Sequence, residues 1–179
     1  VHLLMPDIST VWSNQFDHYA LLIKKQFNVA VNTAQLQFFA RFATGFQAAF
    51  ISLSVLINLV LARGLQSMLY NPGQLRPELE SIRLSQWQVL VLLALLIGSF
   101  LRIELAQDAL PVVVFIFVLA GLSVFHALAH LKNLAKKWIL LVYVLLVIFF
   151  PYLAAAFTSL AVVDSVANLR HRVHSKMKV

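Results

Sequence analysis

The sequence contains no cysteine, only five glycines and five prolines, and few charged residues, which make up 12% of its 179 positions. Without cysteine, the chain can have no disulfide framework, no thiolate nucleophile and no cysteine-based metal site. A soluble domain of this length carries about 25% charged residues. The chain therefore lacks the polar side chains that would cover a water-exposed globule. It also shows no signal peptide, because its first thirty residues are too polar for one.

Apolar residues dominate instead. Hydrophobic side chains account for 61% of the sequence, and the mean hydropathy is +0.84. The net charge is +7, and the basic residues lie between and after the apolar runs. This placement is typical of cytoplasmic flanks that face anionic lipid, rather than of a nucleic-acid-binding surface. The composition therefore predicts an integral membrane protein in contact with the lipid bilayer and with no nucleic-acid partner.

Four apolar segments approach the roughly 20 residues that a membrane-spanning helix needs. No segment alternates as a barrel strand does, so we predict an all-α, polytopic transmembrane helix bundle of about four membrane-spanning helices. The expected organisation is an amphipathic or interfacial arm over residues 1–37, a four-helix transmembrane region over 38–165, and a basic tail over 166–179. The predicted spans are 38–61, 87–105, 109–131 and 138–163.

The arm contains an amphipathic helical pattern. Aromatic and aliphatic residues recur at steps of three and four, namely Trp12, Phe16, Tyr19, Ile23 and Phe27. Polar residues fall largely off this stripe. The pattern favours either a helix that lies in the membrane interface or a helix that packs on a part of the protein upstream of this chain.

The connection after the first span is polar and carries a turn signal. Asn71-Pro72-Gly73 has proline where φ is fixed and glycine where a positive φ is needed. Tyr70 and Trp87 flank the connection, and their amphipathic rings suit the headgroup layer. The connection is therefore predicted to leave the membrane, turn, and return along its surface.

Polar side chains within the spans are the candidate functional residues. Such groups are costly in hydrocarbon unless they meet protein or water. They are predicted either to line a substrate cavity or to be buried in helix contacts. Arg41 has the further option of reaching the headgroups, and Asp164 could pair with Arg41, Arg63, Arg170 or a lipid-facing amine. The candidates are Arg41, Gln47, Asn58, Ser123, His126 and Asp164.

Small residues at four-residue spacing predict close helix packing. The second stripe is predicted to pack against the first or against helices outside this chain. The first stripe contains Ala40, Thr44, Ala48 and Ser52, and the second contains Ala154, Thr158 and Ala161. Pro151, in the fourth span, is expected to kink the helix there.

The sequence offers little for catalysis. It has no serine, histidine and acid arrangement and no glycine-rich phosphate loop, so an enzyme is not expected and no cofactor is predicted. His126 and His130 have the i, i+4 spacing of metal ligands, but a site needs at least a third ligand. The other candidates, His171 and His174, are predicted on the opposite membrane side, and no metal site is expected.

Three segments resemble the YybS-like family of bacterial integral-membrane proteins. They are "LVLARGLQSMLYNPGQLRPELESIRL", "AGLSVFHALAH" and "AVVDSVANLRHR". The similarity covers most of the chain from about Ala40 onward. Val166 and Ala167 depart from it, since relatives often carry aromatic residues there, so a packing or lipid contact at this helix end is in doubt.

The resemblance implies that this chain is the C-terminal portion of a longer protein with further N-terminal helices. It also implies a relationship to the substrate-binding S subunits of energy-coupling-factor transporters. Two functions are therefore considered: a substrate-binding or transport-related subunit with a small-molecule substrate, and a non-transporting structural or assembly partner of other membrane proteins. The resemblance implies a bacterial inner-membrane protein, and lysine and arginine counts favour an orientation with both ends in the cytoplasm.

Overall fold

A computed structural model describes residues 8–28 and 32–170 of the chain. The described residues form helices and no strand, which confirms the predicted all-α class. The helices are α1 (Ile8–Phe27), α2 (Thr33–Tyr70), α3 (Leu75–Glu80), α4 (Gln86–Phe100), α5 (Glu104–Leu131), α6 (Lys136–Ile148) and α7 (Phe150–Ala167).

Three of these helices are long and apolar enough to cross a membrane: α2 over Ala34–Tyr70, α5 and α7. The shorter apolar helices, α4 and α6, have 15 and 13 residues. At about 1.5 Å per residue, α4 is only about 22 Å long, against a hydrocarbon core of about 30 Å. The predicted helical membrane bundle is confirmed, but the bounds of its predicted spans need correction.

The boundary between the second and third predicted spans lies earlier in the chain than expected. α4 ends at Phe100, because Arg102 adopts a left-handed φ of 61° and closes the helix. The Arg102 and Ile103 amides donate to the Ser99 and Gly98 carbonyls at 3.1 and 2.9 Å, which is the Schellman pattern. α5 then begins at Glu104, so Pro111 lies inside the helix rather than at its start.

The fourth predicted span is two helices rather than one. Phe149, with φ −113° and ψ 40°, separates α6 from α7. The kink expected from Pro151 takes this form because proline is well accommodated in the first turn of a helix, where no intrahelical partner for its missing amide is needed. Pro151 occupies that first turn in α7.

Asparagines define the ends of α1 and α2. Asn28 has a φ of 50° and ends α1 by donating its amide to the Lys24 carbonyl at 3.0 Å. The Asn32 side-chain oxygen accepts from the Ala34 amide at 3.1 Å and caps the start of α2. With 38 residues, α2 extends beyond the predicted span at both ends.

The predicted turn after α2 is confirmed. Gly73 has a φ of +91°, and the Gln74 amide donates to the Asn71 carbonyl at 3.3 Å. Ser67, at the end of α2, donates its hydroxyl to the Asn71 carbonyl and accepts from the Leu75 amide. This hydroxyl fixes the direction in which the chain leaves α2 and enters α3.

The chain divides into two compact units. Unit 1 contains the described residues within Val1–Ser52 and Leu95–Val112. Its helices approach closely where they carry glycine. A Cβ on Gly45 of α2 would lie 2.4 Å from the Asp108 carbonyl of α5, and one on Gly98 of α4 would lie 2.8 Å from the Ala106 Cβ.

Unit 2 contains the described residues within Leu53–Ala94 and Val113–Val179. Val118 of α5 and Ala154 and Phe157 of α7 form its buried apolar centre, and Val142 and Leu146 of α6 pack against them. A Cβ on Gly121 would lie 2.1 Å from the Phe157 carbonyl oxygen, so the backbones of α5 and α7 approach each other closely at this position. The apolar faces of α5, α6 and α7 therefore form one packed layer.

Candidate functional site

A polar cavity of about 360 Å³ lies within unit 1. Parts of α1, of α2, of the turn between α4 and α5, and of the first turn of α5 surround it. The described residues that line it all have polar side chains, in a chain that is mostly apolar. They are Thr10, Ser13, Gln37, Arg41, Arg102, Glu104 and Gln107.

The α1 wall of the cavity is fixed by a hydrogen bond from a tryptophan. The Trp12 indole nitrogen donates to the Thr44 hydroxyl of α2 at 3.0 Å. An indole N–H needs such a partner when its ring is covered. The bond holds α1 against α2 between Thr10 and Ser13, the two residues that α1 contributes to the cavity.

The turn between α4 and α5 brings Arg102 to the cavity. Four described residues other than glycine have positive φ, and three of them are asparagines: Asn28, Asn133 and Asn168. Asparagine adopts this conformation more readily than other residues with a side chain. Arg102 is the exception, and it is also the one that lines the cavity.

The charge of the cavity lining is net positive. Arg41 and Arg102 carry guanidinium groups, and Glu104 carries the one carboxylate among the lining residues. Glu104 is also the first residue of α5. The neighbouring Gln107 is 9% exposed and donates its side-chain amide to the Ser99 carbonyl at 3.4 Å. Such a lining can hold a polar ligand by hydrogen bonds and favours an anion.

A separate polar cluster lies in unit 2, where α3 ends. We call it the α3-end cluster, formed by Glu80, Arg83, Ser123, Asp164 and Arg170. The Ser123 hydroxyl donates to the Leu79 carbonyl at 2.6 Å. Arg170 donates to the Glu80 and Ile82 carbonyls, the latter at 2.6 Å. The Leu79 and Glu80 carbonyls lie at the end of α3, where a helix leaves carbonyls without an intrahelical partner, and Ile82 follows in the connection to α4.

Asp164 is the most deeply buried charged residue in the α3-end cluster, with 1% exposure. Its carboxylate lies 3.3 Å from the Arg170 Nε. Arg83 donates to the backbone carbonyls of Asp164 and Ser165 at 3.4 and 3.3 Å. Burial lowers the pKa of the Arg170 guanidinium, while the Asp164 charge acts in the opposite direction. The contacts connect α3, α5 and α7.

A second ion pair holds α3 to α2. The Arg63 guanidinium donates through Nε to Glu78 at 2.8 Å. This hydrogen bond, with the charge of Arg63, lowers the pKa of the Glu78 carboxyl. Glu80 in turn accepts from Arg76 at 2.8 Å and lies 3.3 Å from the His130 Nδ1. The polar connection after α2 is thus held to its neighbours by its own charged residues.

The six candidate polar residues lie in different surroundings. Arg41 lines the cavity of unit 1. Gln47 and Asn58 are exposed, and Asn58 donates to the Ser54 carbonyl at 2.8 Å. A bond to the carbonyl one turn earlier satisfies a polar group without a neighbouring helix.

The other three candidates belong to unit 2. Ser123 and Asp164 are in the α3-end cluster. His126 interacts through Nδ1 with the Leu122 carbonyl at 2.9 Å, and its Nε2 lies 3.4 Å from the Tyr143 hydroxyl. If Nδ1 carries the proton, Nε2 accepts from Tyr143. Of the partners predicted for Asp164, Arg170 is the one that lies beside it in the structure.

Some of the small residues predicted to mediate helix packing are buried, and others are exposed. Ala40, Ala154 and Ala161 are buried, and Thr44 and Thr158 are half-buried. Ala48 and Ser52 are exposed, and the Ser52 hydroxyl donates to the Ala48 carbonyl at 2.8 Å. Among the described residues, no group of three metal-ligating side chains comes together. His171 and His174 lie outside the described residues.

Several residues that line the cavity have no local sequence pattern that marks them as candidate binding residues. Arg102 and Glu104 were interpreted as the exit of a span, because charged residues at a span end are usually solvated. Thr10, Ser13 and Gln107 belong to segments far apart in the chain. The one usable signal was the low number of charged residues, since two of the 14 basic residues line a single cavity.

Comparison with known proteins gives one match. A family model described as "Predicted membrane protein (DUF2232)" matches residues 7–165. No curated protein and no solved structure matches the chain. The matched range includes every residue that lines the cavity and all of the α3-end cluster except Arg170.

Proposed function

The chain belongs to the DUF2232 family of predicted membrane proteins, and from this premise we propose that it is a substrate-binding or transport-related membrane subunit that resembles an S component. The substrate is a small polar molecule that occupies the cavity of unit 1. The protein performs no chemistry on this substrate. It lies in a bacterial inner membrane, and both ends of the chain face the cytoplasm.

The cavity lined by Arg41, Arg102 and Gln107 carries the proposal. Its volume of about 360 Å³ is within the range of small-molecule sites, about 300–1,000 Å³. An ionisable side chain within a membrane-spanning segment is a candidate ligand-site residue, and Arg41 lies in α2, which is long and apolar enough to span. Seven polar side chains surround one space here, which supports binding of a ligand more strongly than helix packing.

Native mass spectrometry of the gently extracted protein tests the proposal. We expect a bound small molecule that is lost when Gln107 is replaced by leucine, because the substitution removes a buried amide and places a methyl-bearing side chain beside the cavity. Gln88→Leu, at an exposed position in α4, is the matched control and should keep the ligand. A preparation that carries no small molecule, or one that Gln107→Leu still carries, would contradict the proposal.

A structural or assembly partner is the second candidate, and one observation favours it. Ala48 and Ser52 leave a small-residue strip of α2 exposed, where another membrane helix can approach closely. The same mass spectra separate the two functions. A stable protein partner that is lost in Ala48→Leu, without any small molecule, supports assembly rather than transport.

A further inference from the structure

We infer that the cavity of unit 1 selects an oxyanion, a phosphate or carboxylate group, that Arg41 and Arg102 hold from two sides. This inference rests on the proposed function for its site and goes beyond it by naming the class of ligand. Arg41 comes from α2 and Arg102 from the turn between α4 and α5. The two guanidinium groups therefore reach one space from parts of the chain about sixty residues apart.

The chemistry of the two groups supports an oxyanion. Guanidinium presents several N–H donors in a plane and bonds two oxygens of a phosphate or carboxylate at once. Arginine stays charged under all ordinary conditions. With Glu104 as the one acidic lining residue, two positive charges face one negative charge, and an incoming monoanion or dianion finds net attraction.

The conformation of Arg102 is a second argument for its role. A left-handed conformation disfavours every residue with a Cβ, and glycine is the usual residue after a Schellman-type helix end. Arg102 has a φ of 61° there. Strained residues persist where the surrounding structure holds them, and they cluster at ligand sites. The left-handed conformation and the place in the cavity lining therefore coincide at one residue.

The neighbouring polar groups complete the site. α5 begins at Glu104, so the first amides of a 28-residue helix lie beside the lining residues. The positive end of its dipole adds to the two guanidinium charges. Thr10 and Ser13 contribute hydroxyls from α1. α1 therefore forms one side of the cavity, and its position against α2 depends on the Trp12–Thr44 bond.

Trp12 provides the reporter for the test. It lies between the two α1 residues that line the cavity, and its indole bonds to α2. We propose to measure Trp12 fluorescence in the protein with Trp87→Phe and Trp138→Phe, in nanodiscs of phosphatidylcholine. Inorganic phosphate is the soluble probe, and chloride at the same ionic strength is its control. Nanodiscs with added phosphatidylglycerol test a lipid headgroup as the source of the oxyanion.

We expect a saturable fluorescence change with phosphate. Arg41→Gln and Arg102→Gln should each weaken phosphate binding about tenfold or more, since a charged hydrogen-bond partner is lost. Lys132→Gln removes an exposed positive charge on the turn between α5 and α6 and should leave binding unchanged. Glu104→Gln should tighten binding, because it removes the opposing charge. A gain in affinity cannot result from misfolding, so this variant guards against loss of structure.

The outcomes separate the class of ligand from the proposed function. The proposal that the ligand is an oxyanion is overturned if neither phosphate nor phosphatidylglycerol changes the Trp12 fluorescence. It is also overturned if Arg41→Gln and Arg102→Gln leave the response unchanged. A response to phosphatidylglycerol alone keeps the oxyanion and assigns it to lipid, and the transport proposal then loses its site. A native ligand that is neutral or cationic, and that depends on Gln107 but not on Arg41, overturns the oxyanion and leaves transport standing.

Discussion

The backbone conformation of Arg102 has a measurable cost at a single residue. A residue with a Cβ loses about 1–2 kcal/mol in the left-handed conformation, and Arg102 adopts it at a φ of 61°. Nothing in the helix end itself requires arginine there, because glycine makes the same two backbone hydrogen bonds. The position of the side chain at the cavity accounts for the choice.

Arg102→Gly is therefore expected to stabilise the protein by about 1 kcal/mol while it weakens phosphate binding. Unfolding in mixed SDS micelles measures the stability. Asn133→Gly is the matched control, because Asn133 ends α5 with a φ of 50° and the same backbone pattern. Asparagine is already tolerated there, so little change is expected. If the Arg102→Gly protein were less stable than the unmodified protein, the expected backbone strain at Arg102 would be contradicted.

The buried Asp164–Arg170 ion pair provides a second test at the level of single residues. Asp164→Asn keeps the shape of the side chain and removes its charge, which leaves Arg170 without its ionic partner. Breaking a buried pair in this way costs about 3–5 kcal/mol. SDS unfolding should show a loss of this size. The exposed Asp17→Asn variant in α1 is the control and should stay within about 0.5 kcal/mol. Equal stability of the two variants would contradict the role of the pair.

At the scale of elements, the turns were easier to predict than the helix ends. Asn71-Pro72-Gly73 is a local signal, and its turn was predicted correctly because proline and glycine fix backbone angles without help from the rest of the chain. The end of α4 carries no such signal, since an arginine stands where glycine is usual. The start of α5 was placed late because Pro111 looked like a first-turn proline, although it lies inside the helix.

The contact between α5 and α7 offers a sharp test of packing. A Cβ on Gly121 would lie 2.1 Å from the Phe157 carbonyl oxygen, which is backbone and cannot rotate away. Gly121→Ala should therefore destabilise the protein by about 1–3 kcal/mol, the usual cost of overpacking. SDS unfolding or thermal unfolding in detergent measures the change.

Gly64→Ala in α2 is the matched variant with the opposite expected sign. The nearest atom to its new Cβ is a Leu75 methyl carbon at 3.4 Å, at the end of a flexible side chain. Alanine is favoured over glycine within a helix by about 0.5–1 kcal/mol. Gly64→Ala should thus be neutral or stabilising. Similar losses of stability in both variants would show that the distance from the new Cβ to its nearest atom does not determine the effect.

At the scale of the whole molecule, composition predicted the lipid environment and the helical class, because both follow from average properties of the chain. The cavity follows from no average property. Arg41 was a candidate because a charge within a span is conspicuous, but its neighbours Arg102 and Gln107 come from a distant turn and helix. Only the fold brings them together. Gln47 and Asn58 have the same periodicity as Arg41 and are likewise exposed, but they are not among the residues that line this cavity.

The orientation of the chain in the membrane is a prediction that the absence of cysteine makes simple to test. A single Ser175→Cys variant in the tail would introduce the only thiol into these 179 residues. In intact cells, an impermeant maleimide should not label it if the tail is cytoplasmic. Lys132→Cys, on the turn predicted to face the other side, should be labelled under the same conditions. The reverse pattern would invert the predicted orientation.

The division of the fourth span at Phe149 has a consequence for synthesis of the chain. α6 leaves the ribosome before α7, and its 13 residues reach only about 20 Å, less than the thickness of the hydrocarbon core. It cannot be released into lipid as a finished span. We therefore expect the translocon to retain α6 until Phe150–Ala167 has been made, so that the two helices integrate together.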